Sequence, residues 1–298
     1  MNPETTLKTL KVRIKDKHAP LLRQWAFECN QIWNEANAIT AEYSYMPIPE
    51  VGWMRFNFSA FDLAKSQAIF AKSRGFSIHS QTVQEVTEAH AKARKQFKKD
   101  KLRWRVSGGS RRALGWVPFK SGAAVWKNGQ VRYNKHFFKV WDSYSLSQFA
   151  FRSGSFTEDS RGRWYFNVVV QVPVIEMSGR GEIGIDLGLK KVATCSNGLK
   201  LESKQFYRNA EQQLGIAQRA NKKKRVKAIH ARLKNRRANH LHQFTTKIVR
   251  ENSLIVVGNV SSSKLVKTKM AKSVLDAGWF MLKTQLDAKS KRSMYSIQ

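Results

Sequence analysis

The chemically sharpest feature of this sequence is an aspartate set among aliphatic residues and glycines. The run reads Gly184-Ile185-Asp186-Leu187-Gly188-Leu189 and is followed by Lys191-Val192-Ala193-Thr194 and Ser196-Asn197-Gly198. Flanked by Ile and Leu, Asp186 is expected on a buried strand, where a carboxylate needs a compensating charge. A divalent cation is a common solution, because hard carboxylate oxygens suit such ions. The same pattern fits the phosphate loop of an actin-like sugar kinase, in which a glycine turn after the strand approaches ATP. No second phosphate loop or adenosine motif follows to support that reading.

The second chemistry is cationic. Between Asn221 and Arg250 stand eleven Lys or Arg residues and no Asp or Glu. The apolar residues Val226, Ile229, Leu233, Leu241, Phe244 and Ile248 recur at helical spacing, so one stripe can pack while the other face points out. The residues assigned to a phosphate-binding face are Lys222, Lys223, Lys224, Arg225, Lys227, Arg232, Lys234, Arg236 and Arg237. A merely solvated helix would intersperse Glu to form i,i+4 pairs, whereas unmixed like charges repel unless an anion lies against them. From Lys92 to Arg112 ten basic residues meet one acid, Asp100, with Phe97 and Trp104 embedded and Trp116 just beyond. Here the candidates are Lys92, Arg94, Lys95, Lys98, Lys99, Arg103, Trp104, Arg105, Arg111 and Arg112. Bases stack on aromatic rings without regard to sequence, so Arg103-Trp104-Arg105 suits single-stranded RNA or DNA. The competing assignment makes Trp104 and Trp116 core residues.

Composition agrees with a polyanionic partner. The 298 residues hold 54 Lys and Arg against 21 Asp and Glu, a net charge of +33, which nucleic acid or an anionic membrane could balance. The most apolar stretch, Trp164 to Ile175, is interrupted by Asn167, Gln171 and Pro173. It falls far short of the roughly 20 apolar residues a spanning helix needs, and no membrane partner is expected. The first fifteen residues lack an apolar signal region, which predicts a cytoplasmic protein. With only Cys29 and Cys195 present, neither a disulfide framework nor a four-ligand zinc site is expected.

The elements that must position these groups read as an α+β multidomain chain. Leu10, Val12 and Ile14 alternate with Lys11, Arg13 and Lys15, a strand with one wet face. From Ala19 to about Arg105 the spacing of Leu22, Trp25, Ile32, Trp33 and Ala36, and later of Val83, Val86 and Ala93, is helical. Met46 to Gly52 is predicted to be a loop between helices. Asn128-Gly129 between short extended runs marks a hairpin, and a second is expected across Thr157 to Arg163. The middle is expected to be a small β-barrel or sheet. From Gly181 the order is a strand through Asp186, two short strands, a long basic helix, a strand at Leu254 to Val260 and a final helix, which predicts an α/β domain.

Those residues resemble a known family. Gly184-Ile185-Asp186-Leu187-Gly188-Leu189, the basic helices, Val256-Val257-Gly258-Asn259-Val260 and Ala271-Lys272-Ser273-Val274-Leu275-Asp276-Ala277-Gly278-Trp279 look like the transposon-encoded TnpB family, ancestors of the type V CRISPR effectors. The resemblance implies a wedge-like β-barrel from residues 1–18 and 113–178, and a helical recognition domain over 19–112. It implies an incomplete RuvC domain of RNase H type over 179–298. It also implies a guide (omega) RNA, a target DNA and cleavage by acids that hold two Mg²⁺ ions.

Asp186 matches the first of those acids, as catalytic residue and metal ligand. Gly258 stands where most members carry the second, and some members with glycine there supply it from a later strand. Asp276 and Asp287 are the conceivable substitutes, with Asp276 favoured as a structural residue of its Asp-Ala-Gly-Trp turn. Ser290 to Gln298 departs from the family pattern, which reads as a truncation or frameshift before the zinc ribbon and the last acid. The expectation is therefore an RNA-guided DNA-binding protein defective in cleavage. The alternatives are an active Mg²⁺-dependent endonuclease whose acids come from elsewhere, a nuclease-dead guided repressor, and, least favoured, a ribosome-associated RNA-binding protein.

Overall fold

The structure, a computed structural model, describes residues 5–173 and 179–290. The chain is a mixed α/β protein that divides into two compact units. One spans Leu7–Val172, and the other runs from Pro173 onward and includes Thr5 and Thr6.

In the first unit, strand β1 (Thr5–Ile14) enters helix α1 (Ala19–Tyr43), which starts with Pro20 in its first turn. Proline is tolerated there because that N–H has no intrahelical partner. A β-hairpin follows, β2 (Tyr45–Ile48) and β3 (Gly52–Arg55), then α2 (Ala60–Ser73) and α3 (Ser80–Phe97). Ser59 and Asp62 form a reciprocal capping box that starts α2. Next come β4 (Trp116–Phe119), β5 (Ala124–Lys127), β6 (Gln130–Tyr133), β7 (His136–Phe138), β8 (Val140–Trp141), β9 (Phe151–Glu158) and β10 (Trp164–Pro173).

The expectation of a barrel is corrected. The strands form an open five-stranded sheet in the order β4-β9-β10-β1-β8 and a separate three-stranded sheet β5-β6-β7. The outer strands β4 and β8 have four and two residues, too short to close the sheet on itself. Helices cover the sheet instead: Leu22, Trp25 and Ile32 of α1 and Val83 and Val86 of α3 share one core with Leu10, Val12, Phe156 and Phe166. Two further expectations change. Residues 46–52 belong to a hairpin rather than an interhelical loop, and the helices end at Phe97 rather than near Arg105. The Asn-Gly turn is as expected, with both residues at positive φ, 52° and 68°, the geometry of a type I′ hairpin.

Residues 98–115, outside any helix or strand, are held by side chains of α1. Asn37 pairs with the backbone N–H and C=O of Leu102, and Asn34 does the same for Arg105. Trp33 donates to the carbonyl of Arg103, and Asn30 donates to Ser107 Oγ. Asn30, Asn34 and Asn37 fall on one helical stripe, so a single face of α1 satisfies the backbone of a segment with no ladder of its own.

The second unit is built on β11 (Gly181–Leu187), β12 (Lys191–Cys195), β13 (Lys200–Glu202) and β14 (Asn252–Val257), in the order β13-β12-β11-β14. β11 and β14 are parallel and the other pairs antiparallel. The crossover between β13 and β14 contains α4 (Glu211–Arg219) and α5 (Lys223–Glu251), and α6 (Ser262–Leu265), α7 (Ala271–Ala277) and α8 (Trp279–Ser290) follow. Ile183, Ile185 and Leu187 pack against Leu241, Phe244 and Ile248 of α5 and Leu282 and Leu286 of α8. β14 ends at Val257, three residues earlier than expected. The expected domain limits at 1–4 and 174–178, and the atypical ending at 291–298, lie outside the described residues.

Candidate nucleic-acid interface

Alternation along β11 decides where Asp186 goes. Ile183, Ile185 and Leu187 point into the helix-covered face, so Glu182, Gly184 and Asp186 point to the other. Asp186 is exposed, which corrects the expectation of a buried acid: only one side of the strand is covered. Thr194 of β12 lies opposite it. Among the described residues the Asp186 carboxylate makes no hydrogen bond or ion pair.

Gly258 is the neighbour of Asp186 on β14's side, with its N–H donating to the carbonyl of Ile185 at 2.8 Å. A Cβ placed there would lie 3.7 Å from Asp186 Oδ1 and 3.4 Å from Ile185 O, ordinary contacts. Position 258 therefore aims at Asp186 and has room for a side chain, but glycine supplies no ligand.

Asp276 is engaged in the fold. Its carboxylate, 8% exposed, accepts from the Tyr207 N–H at 3.0 and 3.1 Å and from Arg237 Nη2 at 2.9 Å. Gly278 ends α7 at φ 71°, and a Cβ there would come within 2.9 Å of Arg237 Cδ. Trp279 donates to the carbonyl of Val192. The Asp-Ala-Gly-Trp turn thus staples α7 and α8 to α5 and β12. Asp287 is half-buried on α8. Among the described residues no three His, Cys, Asp or Glu side chains come together as a metal-binding group. A two-ion centre does not fit the described ligands.

At the start of α5 and along it, Lys222, just before the helix, and Lys223, Lys224, Arg225, Lys227, Arg232 and Lys234 are exposed and make no ion pair within the described residues. Arg236 is exposed and lies over the Phe206 ring, 5.4 Å from its centroid. Arg237 departs from this face and pairs with Asp276. The buried positions Ile229, Leu233 and Leu241 show the available signal: 229, 233, 237 and 241 are one helical stripe.

The run from Lys92 to Arg112 is similarly divided. Lys92 is exposed and lies 3.6 Å from Glu88. Lys95, Lys98, Lys99, Arg103 and Arg111 are exposed, and Trp104 is 44% exposed with Lys101 over its ring.

Three arginines of this run serve the fold instead. Arg94, 7% exposed, donates to Phe58 O, Ser44 Oγ and Asp100, as its place on the 83-87-90-94 stripe of α3 allows. Arg105 donates from Nε to Asn30 Oδ1 at 2.7 Å and lies between the rings of Trp33 and Trp116 at 5.6 and 5.5 Å. Burial lowers its pKa from the ordinary arginine value. Trp116 is half-buried in this stack rather than free for bases. Arg112 grips Glu158, whose side chain is 1% exposed, through two bonds of 2.7 and 2.9 Å. Burial pushes the Glu158 carboxyl up, but Arg112 and the Gly115 N–H outweigh it and hold its pKa below the usual range. No sequence periodicity could have revealed the last two, because residues 98–115 have no regular structure.

Residues 166–269 match a family described as "Probable transposase" (OrfB_IS605). The chain is 28% identical over 188 residues to a "Putative RNA-guided DNA endonuclease" of Streptomyces pristinaespiralis, covering 57% of this chain and 47% of that one. It is 24% identical over 159 residues to "Putative RNA-guided DNA endonuclease InsQ" of Escherichia coli (strain K12), covering 43% and 39%. The chain spans less than half the length of these curated relatives. In structure it is similar to the protein of a Cas12f1-sgRNA-target DNA complex, with a TM-score of 0.58 and 11% identity over 99% of this chain and 89% of the other. No helix among the described residues is long and apolar enough to cross a membrane.

Proposed function

We propose that the chain belongs to the TnpB family, a reading supported by its similarity to a transposase family and to two putative RNA-guided DNA endonucleases, and that it is an RNA-guided DNA-binding protein that holds a guide RNA and its hybrid with target DNA and is defective in cleavage. The observation that carries this is the outward face of α5. Seven exposed cations from Lys222 to Lys234 have no acidic partner among the described residues, and a polyphosphate backbone is the ligand that relieves their repulsion. The exposed residues Lys95, Lys98, Lys99, Arg103, Trp104 and Arg111 supply a second contact surface.

The order β13-β12-β11-β14, with β11 and β14 parallel, supports reading the second unit as the RuvC-like domain. The open sheet around β1, β9 and β10 corresponds to the wedge. In this reading Asp186 is the one acid of the metal site in place. A single carboxylate holds Mg²⁺ weakly and cannot set up the two-ion geometry that activates water and stabilises a leaving oxygen.

Sequencing the RNA that copurifies with the protein tests guided binding. One discrete structured species that directs binding to matching DNA is expected, and a smear of cellular RNA overturns the reading. Incubation with guide, target plasmid and Mg²⁺ tests the cleavage defect. Cutting that is lost in Asp186→Ala would show that further acids complete the site. Cutting that survives the substitution would overturn the role of Asp186.

A further inference from the structure

The β2–β3 hairpin carries an aromatic surface that neither basic run includes. Tyr45 lies opposite Arg55 and Pro47 opposite Trp53 in antiparallel register, which puts these four side chains on one face. Met46 and Ile48, on the other face, are half-buried and hold the hairpin down. The rings of Tyr45 and Trp53 stack with centroids 5.0 Å apart and planes at 15°. Both nevertheless stay open to solvent, Tyr45 59% and Trp53 63% exposed. An aromatic pair left uncovered on a soluble protein marks a contact site.

Its surroundings are cationic. Arg55 Nη2 bonds both Asp100 oxygens at 3.0 and 3.1 Å, which brings the exposed Lys99 and Lys101 to the base of the hairpin. Asp100 is shared between Arg55 and Arg94, so its charge is already balanced. Glu50, in the turn, is the hairpin's one acid.

We propose that this hairpin is a stacking platform for an unpaired base of DNA, with Lys99 and Lys101 taking the phosphates beside it. A free ring face matches the flat face of a base, which is covered on both sides inside a duplex. Apart from the polar atoms of the two rings, the Tyr45 hydroxyl and the Trp53 indole N–H, the outward face of the hairpin offers base edges only Arg55, which is tied to Asp100. Such a surface holds a strand without reading it. That property suits the strand whose sequence changes with every target. On the guided reading above, on which this step rests, that strand is the one displaced when the guide pairs with DNA. A guide scaffold of constant sequence would instead reward contacts to base edges and 2′-hydroxyls.

The test uses the full chain and fluorescence anisotropy at fixed salt, with an oligothymidylate, an abasic strand of the same length, and an oligouridylate. The wild type is expected to bind oligothymidylate roughly 5- to 100-fold more tightly than the abasic strand, because only the former can stack. In a Trp104→Ala background, which removes the exposed ring of the basic run, Trp53→Ala should erase most of that ratio and Trp53→Phe keep most of it. Trp53 is exposed, so circular dichroism and melting should not change. Equal wild-type affinity for the two DNA strands overturns the proposal. So does a greater loss for oligouridylate than for oligothymidylate in Trp53→Ala. A third overturning result is conversion of a dimer to a monomer by Trp53→Ala with the ratio untouched, which would make the hairpin an interface between copies. The strand ratio needs no guide. If a discrete guide RNA copurifies and the ratio is absent, only the platform fails; if the ratio holds and no guide is found, the guided reading fails.

Discussion

Arg103 and Arg105 stand two residues apart in the same basic run, yet the structure assigns them opposite consequences on substitution. Arg105→Ala removes a charge-assisted bond to Asn30 at 2.7 Å, about 1.5 to 3 kcal/mol by itself. It also removes cation–π contacts with Trp33 and Trp116, about 0.5 to 1 kcal/mol each. Rehydration of the buried guanidinium in the unfolded chain returns part of this. A net loss of about 2 to 3 kcal/mol is left, which moves a urea midpoint down by about 1 M for a slope of about 2 to 3 kcal/mol/M. Arg103 is exposed and offers its backbone carbonyl, not its side chain, to Trp33. Arg103→Ala should leave the midpoint within about 0.2 M, as surface changes usually do. It should instead weaken nucleic-acid binding and lower the slope of log affinity against log salt by about 0.7 to 0.9, one phosphate contact. Urea titration followed by circular dichroism, and anisotropy over a salt series, measure both. A stable Arg105→Ala protein that has lost nucleic-acid affinity would refute the division of this run into inward and outward arginines.

Three further outcomes are expected. His90 is fully buried, and burial, with Arg94 nearby, lowers its pKa to about 4 from 6.5. The unfolded chain therefore takes up a proton that the folded one refuses between these values. Stability should be full above pH 6.5 and fall by about 3 kcal/mol as the pH drops to 4; His90→Phe should flatten this profile in urea titrations at several pH values, and an unchanged profile would refute the assignment. Gly258→Glu should place a second carboxylate beside Asp186 and tighten Mn²⁺ binding about tenfold by paramagnetic resonance titration, whereas unchanged affinity would show that position 258 does not face Asp186. Joint replacement of Lys223, Lys227 and Lys234 by Ala should lower the salt slope by about 2 to 3 with no change in melting; loss of folding would mean that this face of α5 packs.

The sequence alone determined the features governed by local rules. The alternation of β1, the Asn128-Gly129 turn and the amphipathic stripe of α5 depend on backbone sterics and on side-chain period, both of which are visible within a few residues. Only the tertiary structure decided which charges are free. Arg94 and Arg237 are drawn inward by Asp100 and Asp276, and Arg105 and Arg112 by Asn30 and Glu158. Two of these four were marked by helical stripes, but the partners of Arg105 and Arg112 lie 75 and 46 residues away in sequence. The same dependence on distant partners explains the open sheet, since strand closure is decided by what covers the face, here α1 and α3. It also explains the exposure of Asp186. A strand shows its alternation in sequence, but which of its faces is left uncovered depends on where α5 and α8 pack.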